Sequence, residues 1–127
     1  MKKIISIMVI MLLLCGCSNK EKSKIDSSND GDNNVISNKQ MNDIMAEDNY
    51  LIIDVRTKEE FNSSHIKDAI NIPYNEIDEN IDLDKNKIIF VYCYSGGRST
   101  KAAETLSKLG YIVYNLGAID NIDLPKE

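Results

Sequence analysis

Residues 87–109 read KIIFVYCYSGGRSTKAAETLSKL. Ile88, Ile89, Phe90, Val91 and Tyr92 form an apolar run too short for a helix and too continuous for a strand with one wet face. They predict a strand covered on both sides, as in a parallel sheet. Beyond Arg98, the residues Ala102, Ala103, Leu106 and Leu109 recur at helical spacing, with Lys101, Glu104 and Lys108 on the other face. Gly110 follows where a helix commonly ends. Strand, tight loop and helix in this order predict an α/β fold with its core centred here.

The loop between strand and helix has chemistry of its own. Gly96 and Gly97 allow the backbone to turn its N–H groups inward, and the helix behind them points its positive dipole end at the same place. A cysteine on such a loop, with Arg98 nearby, has its thiolate favoured, and the thiolate is the nucleophile. Cys93 is therefore the candidate reactive sulfur. A lone strand-end cysteine is more often a small buried hydrophobe. The combination of Cys93, paired glycines and Arg98 between strand and helix shifts the balance to chemistry.

The segment Cys93–Ser99, CYSGGRS, resembles the active-site loop of rhodanese-like sulfurtransferases. Two further stretches carry the likeness in the same order. Residues 52–73, IIDVRTKEEFNSSHIKDAINIP, are similar to the family's strand, Asp-Val-Arg, short acidic helix and Asn-Ile-Pro pattern, and residues 110–119, GYIVYNLGAI, to its last strand and closing turn. The resemblance runs from about Val35 to Ile119. It implies a three-layer fold, a small, mainly parallel sheet flanked by helices.

The same resemblance implies roles. Cys93 would attack the outer sulfur of a sulfane donor such as thiosulfate, expel sulfite and hold the sulfur as a persulfide for a thiol, cyanide or protein acceptor. The loop Tyr94, Ser95, Gly96, Gly97 and Arg98 would bind substrate, its amides stabilising the charged sulfur as an oxyanion hole does. The Arg98 side chain would either hold the anionic donor or tie down the loop. Asp54 and Arg56 would lie behind the loop. No cofactor and no metal are implied, and a pre-formed thiolate needs no separate base.

Composition bounds the rest. The chain has 127 residues with a formal charge of −5, which leaves room for one small domain and disfavours a general surface for nucleic acid or anionic lipid. Residues 1–17, MKKIISIMVIMLLLCGC, combine two lysines with an apolar run from Ile4 to Leu14 that is too short to span a bilayer. Leu14, Cys15, Gly16 and Cys17 resemble a bacterial lipoprotein cleavage box. Residues 1–16 are thus expected to be a signal peptide, with Cys17 lipidated (for instance by palmitate) and the protein held at the extracytoplasmic face of the cell membrane. Cys15 fits less well as the lipidated residue, because bulky Leu14 would precede the cut. Removing a leader that carries Lys2 and Lys3 and no acid takes the charge from −5 to −7. Residues 18–34 are nearly free of apolar side chains and read as a flexible tether, leaving 35–127 as the domain.

Within that domain, Val35 and Ile36 read as a short strand, and Ser37 as the N-cap of a helix through about Glu47 with Met41, Ile44 and Met45 on one face. Leu51–Val55 reads as a buried strand. Thr57 and Glu60 form a capping-box pattern that opens a short helix turning Phe61 inward. His65, the only histidine, reads as part of a turn before a strand at Ala69–Ile72, more structural than chemical. Ser64 and Asp68 stand where the family usually has glycine, so unusual φ values are expected at both. A helix-like stretch is expected at Tyr74–Ile81 and a last strand at Tyr111–Tyr114. The chain after Ile119 lacks the family's usual terminal helix, which predicts a less protected edge.

Two other functions fit the pattern less well. A phosphatase or arsenate reductase of the same fold has five residues between its cysteine and arginine, whereas four separate Cys93 from Arg98 here, a smaller ring suited to one sulfur atom. A non-catalytic binding or sulfur-sensing module at the membrane is the second alternative, since folds outlive their activities.

Overall fold

The computed structural model describes residues 35–47 and 49–127. The elements follow in the order α1 (Asn38–Glu47), β1 (Tyr50–Asp54), α2 (Lys58–Ser63), β2 (Ile70–Asn71), a 3-10 turn (Tyr74–Glu76), β3 (Ile88–Cys93), α3 (Gly97–Lys108), β4 (Ile112–Ala118) and a second 3-10 turn (Ile119–Asn121). The sheet is four-stranded in the order β2-β1-β3-β4. All three pairings are parallel, with Ile53 opposite both Ile70 and Val91, and Phe90 opposite Tyr114.

The apolar run of β3 lies in the interior, with both faces covered. Phe90 and Tyr92 pack with Met41 and Ile44 of α1, Ile52, Ile66, Leu116 and Ile122. Ile89, Val91 and Cys93 turn to the opposite face and pack with Ala102 and Leu106 of α3, Ile53, Val55 and Tyr111. This alternation places the Cys93 side chain on the α3 side at the C-terminal end of the strand, where open α/β sheets hold their ligands.

The caps behave as the sequence predicts. Ser37 Oγ accepts the Gln40 amide at 3.2 Å and opens α1, while Thr57 and Glu60 close a reciprocal capping box at α2. Gly110 takes a φ of 94° after α3. Asp68 adopts the predicted left-handed conformation with a φ of 66°. Ser64 does not. Its φ is −169°, ordinary extended backbone.

Four further expectations change. Val35 and Ile36 form one parallel bridge to Asn115 instead of a strand. The helix expected at Tyr74–Ile81 is only the turn Tyr74–Glu76, because the Asp78 carboxylate takes the Asn80 amide at 2.9 Å and diverts the backbone. Strand β4 runs on through Leu116–Ala118, where a turn was expected. It does so by a bulge: Val91 pairs with Asn115 but Tyr92 with Gly117, so Leu116 is the extra residue. The edge expected to lack protection is covered by the C-terminal tail. His65 and Glu127 exchange backbone bonds of 3.0 and 2.8 Å, Lys67 donates to the Pro125 carbonyl at 2.8 Å, and Ile122 is buried in the core.

Candidate active site

Cys93 is fully buried under the loop that follows it. Gly96 has a φ of 100° and serves as the N-cap of α3, a left-handed conformation that turns its N–H back onto Cys93 Sγ at 2.9 Å. Ser99, also fully buried, stands 3.4 Å from the sulfur through its Oγ and donates its own hydrogen to the Gly96 carbonyl at 3.0 Å. That carbonyl has two further donors, Thr100 Oγ1 at 2.8 Å and the Thr100 amide at 3.1 Å. When the thiol loses its proton, the Ser99 hydroxyl can therefore swing to the sulfur and leave the carbonyl satisfied.

The electrostatics follow from these contacts. Burial pushes the Cys93 thiol up, but the Ser99 hydroxyl and the amides of Ser99, Gly96 and Ser95 together outweigh it and leave the thiol below the ordinary cysteine value. The sulfur lies among aliphatic side chains and still meets polar donors on the loop side.

The sequence grouped Tyr94, Ser95, Gly96, Gly97 and Arg98 as one amide cradle, and the structure distributes them differently. The Gly96 amide makes the one short, well-aligned bond to Sγ, at 2.9 Å, and the Ser95 and Ser99 amides act on the sulfur less directly. Tyr94 stands out from the loop, 61% exposed, and Ser95 and Gly97 are exposed. The amides at the start of α3 lack intrahelical acceptors, as in any helix. The Arg98 guanidinium clasps Glu60 with Nη1–Oε1 at 2.8 Å and Nη2–Oε2 at 3.1 Å, so its side chain ties the loop to α2.

Asp54, opposite Tyr92 in the sheet, and Arg56 are both buried. Arg56 grips the Asp54 carboxylate through Nε at 3.0 and 2.9 Å and through Nη2 at 2.6 Å, and Nη2 also donates to the Ser64 carbonyl. Burial works against the Arg56 charge, but the Asp54 carboxylate more than restores it. Its guanidinium lies 5.7 Å from the centre of the Tyr92 ring, and the Tyr92 hydroxyl accepts the Ile66 amide at 3.0 Å. His65 is structural: its ring stacks on Phe61 at 3.8 Å, and its Nδ1 meets the Phe61 carbonyl at 2.9 Å.

Arg56, Glu59, Glu60, Ser63, Ser64 and Tyr94 line an open hollow of about 420 Å³ beside the loop. Among the described residues, no group of three or more His, Cys, Asp or Glu side chains gathers at metal-binding distance. Sequence reasoning missed Ser99 and the second role of Glu60. A signal for Ser99 existed, because it shares the buried stripe of α3 with Ala102 and Leu106, and a polar residue on such a stripe beside a cysteine needs a partner.

A family model described as the rhodanese-like domain matches residues 37–121. The chain belongs to the rhodanese-like family. Thiosulfate sulfurtransferase PspE of Escherichia coli is 44% identical over 78 residues, 58% of this chain and 75% of that protein. A putative sulfur carrier protein, YrkF of Bacillus subtilis, is 36% identical over 67 residues, 52% of this chain, and the match spans only 36% of YrkF. Among solved structures, a rhodanese with anions from E. coli superposes with a TM-score of 0.57 at 41% identity, covering 61% of this chain and 96% of that one. A Lactobacillus plantarum protein gives a TM-score of 0.62 at 28% identity, over 74% and 87% of the two chains. The four-stranded parallel sheet flanked by helices is the fold these rhodanese-like neighbours share with this chain.

Proposed function

We propose that this rhodanese-like domain is a sulfurtransferase that carries a sulfane sulfur as a Cys93 persulfide from a thiosulfate-like donor to a thiol or cyanide acceptor. The observation that carries this reading is the 2.9 Å bond from the Gly96 amide to Cys93 Sγ at the N-terminus of α3. A buried sulfur held by donors gains from carrying charge. The thiolate attacks the outer sulfur of S–SO₃²⁻, the S–S bond of the donor breaks, and sulfite leaves with the electron pair. The new terminal sulfur carries the charge, and the first-turn amides of α3 stand ready to receive it. An acceptor thiolate then takes that sulfur and regenerates Cys93.

Incubating the full chain with thiosulfate and examining the Cys93 peptide by mass spectrometry tests the proposal. A gain of about 32 Da, one sulfur atom, is expected, and it should be absent in Cys93→Ser. An unmodified peptide across several sulfane donors would remove the activity. The complete enclosure of Cys93 favours a second reading, a sensor or binding module, and the same unmodified peptide would favour it. The phosphatase reading loses ground because Glu60 occupies the arginine that would have to clamp a phosphate.

The leader, Cys17 and the tether lie outside the described residues. Among the described residues, no helix is long and apolar enough to cross a membrane. From the sequence of residues 1–17 we infer attachment through lipid on Cys17, facing away from the cytoplasm. Metabolic labelling with a palmitate analogue tests this: label lost in Cys17→Ala supports it, and label retained overturns it.

A further inference from the structure

Two arginines stand at the hollow beside the cysteine loop, Arg56 in its lining and Arg98 as the partner of the lining Glu60, and neither charge is free. Arg56 is closed on Asp54 and Arg98 on Glu60, each by two or more bonds to one carboxylate. Glu59, on the same wall, is exposed and has no ion partner among the described residues. Tyr94, on the same wall, is uncharged and 61% exposed. The Gly96 amide is occupied by the sulfur of Cys93 itself. The lining and its ion partners therefore carry two neutralised pairs and one surplus negative charge, in a chain whose formal charge is −5.

We infer that the site selects sulfane donors without an anionic tail, namely hydropersulfides of uncharged or cationic thiols, in preference to dianionic thiosulfate. This rests on the reading of Cys93 as a sulfur acceptor. A dianion approaching the thiolate gathers three negative charges with no unpaired arginine beside them, and because the hollow is open to solvent this repulsion acts on the approach and weakens as salt is added. A hydropersulfide attacked in its protonated form, R–S–SH, brings none. The Cys93 thiolate forms a bond to its outer sulfur, the R–S–S bond breaks, and the leaving thiolate R–S⁻ takes the outer proton. The products are Cys93–S–S⁻ and R–SH, with the charge count unchanged. The unpaired Glu59 carboxylate acts by rejection, which is how binding sites commonly discriminate between chemically similar partners.

The test measures the rate of the 32 Da gain on the Cys93 peptide of the full chain, about one sulfur atom. The donors are the hydropersulfides of cysteamine, 2-mercaptoethanol and 3-mercaptopropionate, and thiosulfate. Each rate is divided by that donor's rate with a small free thiol and measured at low and high salt. The cationic and neutral donors are expected to exceed the anionic one and thiosulfate at least about ten-fold, and the anionic rates alone should rise with salt. In Glu60→Gln, which releases the Arg98 charge, the anionic-to-neutral ratio is expected to rise at least about three-fold; a ratio compares donors within one variant and so cancels a general loss of loop order. Anionic donors that match the neutral one, or that slow as salt is added, overturn the inference while sulfur transfer stands. No gain from any donor removes both.

Discussion

Arg98 and Glu60 hold each other by two parallel bonds, 2.8 and 3.1 Å long, and so join the first turn of α3 to the first turn of α2. The same Glu60 carboxylate completes the capping box with Thr57. One side chain therefore fixes the start of α2 and the end of the cysteine loop. Its Arg98 partner, with help from the cap, holds the Glu60 carboxyl down to about 2 against the opposing effect of burial.

That depression sets a pH dependence of stability. The stabilisation is fully present above the ordinary carboxyl value of 4.5 and is lost as pH falls toward the folded value of about 2. Urea unfolding of wild type and Glu60→Gln should differ by about 1 kcal/mol or less at neutral pH, since the pair is partly in solvent. The difference should shrink steadily below pH 4.5. A gap that persists at the acid end would show that packing, and not charge, is responsible.

Ser99→Ala removes the hydroxyl that turns to the sulfur on ionisation. The thiol should titrate higher than in wild type, as followed by the ultraviolet absorbance of the thiolate. A lost bond to a charged group, about 1.5–3 kcal/mol, slows sulfur uptake at neutral pH by roughly ten-fold or more. Folding should change little by comparison, because Thr100 continues to satisfy the Gly96 carbonyl.

Arg56→Ala leaves the fully buried Asp54 carboxylate without its counter-ion and the Ser64 carbonyl without its donor. A loss of about 3–5 kcal/mol is expected in chemical denaturation. Asp54→Asn combined with Arg56→Met should recover part of it, because the uncompensated charge is then gone. Failure of the double variant to regain any stability would place the loss in packing.

The two loop glycines should respond differently to alanine. Gly96 has a φ of 100° and no crowding beyond Gly117 Cα at 4.0 Å, so Gly96→Ala costs backbone strain alone, about 1–2 kcal/mol, and turns the amide from Sγ. A Cβ at Gly97 meets nothing within 4 Å, and Gly97→Ala inside the first turn of a helix should be neutral or slightly stabilising. Thermal melts and sulfur-uptake rates distinguish the pair.

Much of this was legible because local rules and the global fold agree at the centre of the chain. The run at Ile88–Tyr92, the left-handed turn at Gly96, the stripe of α3 and the Thr57/Glu60 cap each point to one arrangement, and each is found. What escaped depends on distance in sequence. Glu60 was already accounted for by its cap, and nothing local shows that Arg98, 38 residues later, shares it. The bulge at Leu116 hid because Leu116, Gly117 and Ala118 read as a turn, whereas Gly117, at a φ of 78°, lets the strand continue. The pairing of the tail with the segment after α2 was invisible for a similar reason: the last six residues, IDLPKE, have no periodicity that marks a strand.

That tail reaches further than an edge covering. His65 and Glu127 exchange their backbone bonds, and Lys67 donates to the Pro125 carbonyl. Between them, Ile66 hands its amide to Tyr92, while the neighbouring Ser64 offers its carbonyl to Arg56. The last three residues thus act as a latch on the turn that braces the floor of the cysteine loop. Trimming the chain back to Leu124 should loosen the sulfur chemistry, a remote control exerted through the bonds of the tail to His65 and Lys67.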